Sequence, residues 1–197
     1  MVNSNLRKEI NKALYALFFM VFYMKKDNII KFLKDIFPYV LIIILVVLIR
    51  TFIVTPAQVD GSSMKPTLSD NNLVILNKLD YRLNDIKRFD VVVVDIKTEK
   101  IIKRVIGLPG DTVSYKNKTL YINGKKVEEN FTHTNDTRDF KLGDIGYQKI
   151  PGDKYFVVGD NRNNSMDSRM IGLVDKDQIL GSVSFRFFPF NKIGKVK

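Results

Sequence analysis

The 197-residue chain contains no cysteine and a single histidine, His133. Without cysteine there is no disulfide framework, no thiol nucleophile and no thiolate metal site, and the redox compartment is left open. No His–x–x–x–His spacing and no cluster of carboxylates at ligand spacing accompanies His133, so neither a metal nor another cofactor is expected. His133 falls in a polar stretch and reads as a surface residue, which leaves a Ser-His-Asp arrangement without a base. Zinc-finger and helix-turn-helix patterns and a basic-aromatic ladder are also missing. The net charge of +11 therefore does not point to nucleic acid. Seven Lys/Arg against three Asp/Glu in residues 1–35 fit an anionic lipid surface better.

Long apolar runs are present. Ile36 to Ile49 is nearly pure aliphatic, and Arg50 to Val54 extends it to nineteen residues. As a helix that is about 28 Å, close to the hydrocarbon thickness of a bilayer. Pro38 is expected in the first turn, where its missing N–H costs little, and Arg50 is placed to snorkel. Residues 36–54 are read as a transmembrane helix. Lys25, Lys26, Lys31 and Lys34 flank its N-terminal side, which the positive-inside rule assigns to the cytoplasm. Residues 55–197 then face outward. Ahead of the span, Ala13 to Met24 is apolar but too short to cross. Residues 1–35 are read as a cytoplasmic basic arm with a short interfacial or re-entrant helix, the rival reading being a short true span in a hairpin with the next segment, and no small-residue cleavage site marks them as a removed targeting peptide.

Residues 55–197 carry short strand signals separated by Gly/Pro turns. Leu73 to Leu76 is one strand. Asp90 to Ile96 and Ile101 to Ile106 read as a hairpin, and Thr112 to Tyr115 with Thr119 to Ile122 as a second. Asn123-Gly124 turns the chain again. Residues 123–150 are expected to form a small polar excursion, and Lys154 to Val158 and Ser182 to Phe187 are further strands. No long helix is expected here. The fold class is mainly β, a coiled antiparallel sheet system behind an N-terminal transmembrane helix. Phe187, Phe188, Pro189 and Phe190, with Phe52, Ile53, Val54 and Pro56, read as a lipid-facing rim around the site.

Three stretches carry chemistry. Gly61-Ser62-Ser63-Met64-Lys65-Pro66-Thr67-Leu68 is a turn that exposes a hydroxyl. Lys103 shares a strand face with Ile101 and Val105. An ammonium held among aliphatic side chains has its pKa lowered, and a neutral lysine can take a proton from a serine. The third stretch runs from Gly159 to Gly172. In it Asp160, Asp167, Arg162 and Arg169 are expected to pair and lock a polar loop, and Ser165 to donate a hydrogen bond toward a lysine amine.

These motifs resemble those of the bacterial type I signal (leader) peptidases, nearest to the short Gram-positive form. The resemblance rests on Gly61 to Leu68, on Lys103-Arg104-Val105-Ile106-Gly107-Leu108-Pro109-Gly110-Asp111, and on Gly159-Asp160-Asn161-Arg162-Asn163-Asn164-Ser165-Met166-Asp167-Ser168-Arg169. It implies a barrel-like catalytic domain, a Ser63 nucleophile and a Lys103 general base. It further implies that Ser165 orients the lysine, that Asp167 supports it, and that Asp160, Arg104 and Arg169 form salt bridges. The Ser63 backbone N–H is the expected oxyanion donor, with at most a weak contribution from Gly61, where some relatives have a serine hydroxyl. The implied substrates are signal peptides of exported preproteins, cleaved after small residues at the outer face of the cell membrane, with the secretion translocon as a further partner. Gln58, Asp60 and Ser62 are placed to line an edge that binds the extended peptide. Alternative readings are a self-cleaving serine–lysine repressor, which needs a DNA-binding domain in place of the span, a catalytically silent membrane-anchored binding or assembly protein of the same fold, and a basic lipid-bound structural protein.

Overall fold

The computed structural model describes residues 4–23, 26–79, 84–134 and 137–196. Met24 and Lys25, which close the first apolar run and open the basic flank, lie outside them. The chain divides into two units, Met1–Leu48 and Ile49–Lys197.

In the first unit, α1 (Ser4–Tyr23) takes in both the polar start and the apolar run, and α2 (Lys26–Phe52) contains the aliphatic stretch. Residues 28–52 are long and apolar enough to cross a bilayer. Two boundaries differ from the sequence reading. The helix starts ten residues before Ile36, because Ile29, Ile30, Phe32, Leu33 and Ile36 continue the apolar stripe at helical spacing. Pro38 is consequently internal, and lacks the N–H that would close the turn onto Lys34. At the other end the helix stops at Phe52, and Val54 and Thr55 are already in a strand. The β-branched pair and the restriction on the residue before Pro56 both disfavour helix there.

The second unit is mainly β. Strands β1 (Val54–Gln58), β2 (Leu73–Asn77), β3 (Val91–Asp95), β4 (Lys100–Gly107), β9 (Lys154–Val158), β10 (Val174–Asp175) and β11 (Ile179–Phe188) form one curled antiparallel sheet. Their order is β1-β2-β11-β3-β4-β9-β10, with β12 (Gly194–Lys195) added to β11. Register shifts in β11 and between β4 and β9 mark the bulges that bend it. Strand β1 lies at an edge of this order, the position at which a strand tolerates Pro56. The central strand β3 is buried on both faces. Its Val92 and Val94 join Ile101, Val105, Tyr155 and Val157 in one core. Its Val91 and Val93 join Val74, Leu76, Met64 and Leu68 in another. Four successive valines are what such a two-sided strand calls for.

Between β4 and β9 the chain builds a second sheet from β5 (Val113–Lys116), β6 (Thr119–Ile122), β7 (Lys125–Val127) and β8 (Phe140–Lys141), in the order β7-β6-β5-β8. Residues 123–150 thus do more than run over the surface. They supply β7 and β8, and Phe131, Phe140, Ile145 and Tyr147 pack on a third core that joins this sheet to Ile106, Phe156 and Val158 of the first. The polar composition of the segment concealed these apolar contacts. Of the aromatic residues near the C-terminus, Phe188 and Phe190 are exposed and meet edge to face, whereas Phe187 is half-buried and Phe185 is the third exposed ring.

Gly107 sits where the two sheets meet. A Cβ there would lie 2.4 Å from Ile150 Cδ1 and 2.6 Å from Val113 Cγ2. Gly107→Ala should therefore destabilise the domain by about 1–3 kcal/mol, the usual cost of overpacking. Urea unfolding checks this, and an unchanged midpoint would show that the sheets do not meet as described.

Candidate active site

The Gly61–Leu68 turn is fixed by its apolar ends. Met64 and Leu68 are buried in the core beneath β2 and β3. Lys65 N–H donates to Ser62 O at 3.1 Å and Leu68 N–H to Met64 O at 2.9 Å. Gly61 adopts φ +94°, a left-handed conformation that favours glycine. Its N–H donates to Asp70 Oδ1 at 3.0 Å and so is occupied. The Ser63 N–H, in contrast, has no acceptor among the described residues.

Lys103 projects from β4 and is 2% exposed. Across the strands it faces Val92, and Ile101 and Val105 flank it on its own face. Its Nζ donates to Ser63 Oγ at 2.7 Å. Burial pushes its pKa down to about 8, against the opposing pull of Asp167, Glu99 and Asp160, while Arg169 lowers it further. Ser63 and Lys103 open on a cleft of about 440 Å³ also lined by Val59, Asp60, Glu99 and Ile102. A larger cavity of about 540 Å³, bounded by Arg88, Phe131, Phe185 and Lys195, contains neither Ser63 nor Lys103.

The 159–169 loop closes the site from behind. Asp160 is fully buried and receives Arg104 Nε at 2.8 Å and Nη2 at 2.6 Å, with the Thr67 hydroxyl as a third donor. The Arg104 guanidinium stacks on Phe131 at 3.9 Å. Asp167 receives Arg169 Nε at 2.8 Å and Nη2 at 2.7 Å, and also accepts from the Gly159 N–H. It caps the one-turn helix α3 (Ser168–Ile171). Two ion pairs result, Arg104–Asp160 and Arg169–Asp167.

Other expectations are not met. Arg162 pairs with neither Asp160 nor Asp167. Its buried guanidinium reaches Glu129, at 2.5 Å from Nη2, together with the Thr137 hydroxyl at 2.9 Å and the Gly159 carbonyl at 3.1 Å. Thr134 adds to this support, its N–H donating to Asp160 O and its hydroxyl accepting from the Arg162 N–H. Nothing in the local sequence distinguishes Glu129 from its neighbours Glu128 and Asn130. Ser165 Oγ is buried but forms no hydrogen bond, so the expected link to Lys103 is missing. Ser165 is packed against Gly159, where a Cβ would meet its Oγ at 2.2 Å. His133 is 15% exposed at its side chain rather than a free surface group. It contacts Glu129, Phe131 and Thr134 O, not Ser63 or Lys103. Gln58 is held by Asn71 and Ser62 by Asn164, which leaves Asp60 alone of the three edge residues on the cleft.

Glu129→Ala would leave the Arg162 guanidinium buried without its counter-charge, which typically costs about 3–5 kcal/mol. Urea unfolding should show a loss of that size, and a loss under about 1 kcal/mol would mean that water replaces Glu129.

Residues 29–188 match the family model described as Signal peptidase, peptidase S26. A Signal peptidase I of Bacillus amyloliquefaciens is 47% identical over 179 residues, covering 88% of this chain and 95% of the relative. Signal peptidase I T of Bacillus subtilis is 47% identical over 166 residues, or 80% and 86% of the two chains. A solved signal peptidase I from Enterococcus faecalis aligns with 51% of this chain and 98% of its own, at 35% identity and a TM-score of 0.47. On the extent of the family match and the identity to the two Bacillus relatives, the chain belongs to the signal peptidase family, peptidase S26.

Proposed function

We propose that Ser63 and Lys103 are the nucleophile and general base of this membrane-bound serine endopeptidase of the signal peptidase I type. The observation that carries the assignment is the 2.7 Å contact from a buried lysine, with its pKa lowered to about 8, to a serine hydroxyl on an open cleft. Neutral Lys103 takes the Ser63 proton as Oγ attacks the carbonyl before the scissile bond. The negative charge that develops on the carbonyl oxygen is met by the Ser63 N–H. The lysine then returns the proton to the departing amine, giving an acyl-serine and a new N-terminus. In the second half, Lys103 takes a proton from water as the hydroxide adds to the ester, and returns it to Ser63 Oγ as the peptide acid leaves.

The ion pairs Arg104–Asp160 and Arg169–Asp167 support this site by holding its loop, and Ser165 supports it by packing rather than by a hydrogen bond. Substrate binds extended, adding a strand to the edge offered by β1, and the residues before the cleaved bond are small. The N-terminus lies in the cytoplasm and the β-rich domain on the outer face, where signal peptides leaving the translocon become accessible.

Ser63→Ala and Lys103→Arg should each abolish cleavage of a preprotein. The first removes the nucleophile, and the second keeps a positive charge that cannot act as base. In wild type, kcat/KM should rise with pH through about 8 and level off above it. A flat acid limb down to pH 5, or an arginine variant retaining more than about a tenth of the rate, would remove Lys103 from the role of base. The same depressed pKa makes the unfolded chain bind more protons between about 8 and 10.5, so this group's contribution to stability rises with pH across that window. Lys103→Met should remove that dependence.

Protease added to intact spheroplasts should digest the β-rich domain and spare the N-terminal arm, as the positive-inside rule requires. Protection of the domain would reverse the orientation.

A further inference from the structure

The turn that carries Ser63 is tied to the 159–164 loop, about a hundred residues away in sequence, at three atoms. The Asn161 N–H donates to Ser63 O at 2.9 Å. Asn161 Nδ2 donates to Ser62 O at 3.1 Å, and Asn164 Nδ2 to Ser62 Oγ at 3.0 Å. Ser62 O also receives the Lys65 N–H, so both lone pairs of that carbonyl are used. Gly159 lies against the same segment, with room for no side chain, since a Cβ would stand 2.6 Å from Ser63 O. The other end of the turn is held by the bond from the Gly61 N–H to Asp70. The Gly61 N–H, the Ser62 carbonyl and hydroxyl and the Ser63 carbonyl are therefore all engaged, Ser63 Oγ meets Lys103, and the Ser63 N–H has no acceptor among the described residues. The loop itself is not free to follow the turn, because Arg162 and Thr134 fix it from the side of the second sheet.

We propose that Asn161 and Asn164 are positioning residues of the cleavage reaction, their side-chain amides holding the Ser62–Ser63 segment so that Ser63 Oγ stays within hydrogen-bond reach of Lys103. The inference rests on reading Ser63 and Lys103 as nucleophile and base. Neither amide lines the cleft or touches Lys103. Deleting one leaves nucleophile, base and oxyanion donor all present, with only their mutual geometry loosened. A displacement of about 1 Å at a reacting atom costs on the order of 100-fold in rate. The loss should therefore fall on kcat and spare substrate affinity. Asn164 has a second effect, because it occupies the hydroxyl that stands beside the nucleophile.

The test uses the full chain in detergent micelles, with kcat, KM, the pH profile and the urea midpoint measured on a preprotein substrate. Asn161→Ala and the near-isosteric Asn161→Asp, which has no amide donor, should each lower kcat about 10- to 100-fold. KM should change by less than about twofold, and the acid limb and the urea midpoint should stay where they are in wild type, because uniform binding and the burial of Lys103 are untouched. Asn164→Ala and Ser62→Ala should each cost less, and the double variant no more than the worse single one, because both delete the same bond. A kcat for Asn161→Ala within about twofold of wild type would overturn the proposal, as would an activity loss that tracks the loss of folded protein. Fully additive effects of Asn164→Ala and Ser62→Ala would also overturn it. Ser63→Ala in the same assay keeps the two claims apart. Activity surviving in that variant would overturn the assignment of Ser63 itself, and with it this proposal.

Discussion

The proposed chemistry depends on keeping one amine out of water. Lys103 is held on β4 among valines and isoleucines, and removing its ammonium from solvent is what lowers its pKa to about 8. Two carboxylates of the 159–169 loop oppose that shift. Each is already committed to an arginine, Asp160 to Arg104 and Asp167 to Arg169. This arrangement matters because a bare carboxylate beside Lys103 would favour the charged amine and work against its proposed role as base. The ion pairs thus hold the loop in place and blunt the field that its aspartates would otherwise exert on the lysine.

The second sheet takes part in the same arrangement from the far side. Its connecting segment supplies Glu129, Thr134 and Thr137 to the back of the 159–162 loop, whose front contacts the Ser62–Ser63 turn. Its own attachment to the main sheet runs through the apolar contacts around Gly107, Ile106 and Phe156. The serine, on a turn between β1 and β2, and the lysine, on β4, are therefore held together by more than the sheet that carries them both.

Much of this was legible in the sequence where physics is local. The Val91–Asp95 and Lys100–Gly107 hairpin follows from two β-branched runs around a polar turn, and the period of two put Lys103 with Ile101 and Val105. The fold class followed from short strands between Gly/Pro turns. What was missed depends on contacts far apart in the chain. Strand β1 is not read from the sequence, where the span takes in its first residue, Val54, and only pairing with β2 makes a strand of residues 54–58. The start of α2 lies ten residues earlier than the aliphatic run suggests, because the apolar neighbours of its basic residues keep helical spacing. The partner of Arg162 was unreadable, since a glutamate in a polar segment looks the same whether it meets water or a buried guanidinium. Asn161 and Asn164 were visible as residues of a motif, but their hold on Ser62 and Ser63 needed the fold. Ser165 illustrates the converse, where a motif position suggested a hydrogen bond that the packing against Gly159 does not make.

Burial is the largest influence that fits Lys103 to act as a base near neutral pH, with Arg169 adding to it. The most direct measurement is the titration of the Lys103 side chain itself, by carbon NMR of lysine labelled at Cε, with Lys103→Met used to assign its signal. A midpoint near 8 is the result this account predicts. A midpoint at the ordinary lysine value of about 10.4 would mean that the amine is solvated and protonated in the resting protein, and would contradict it.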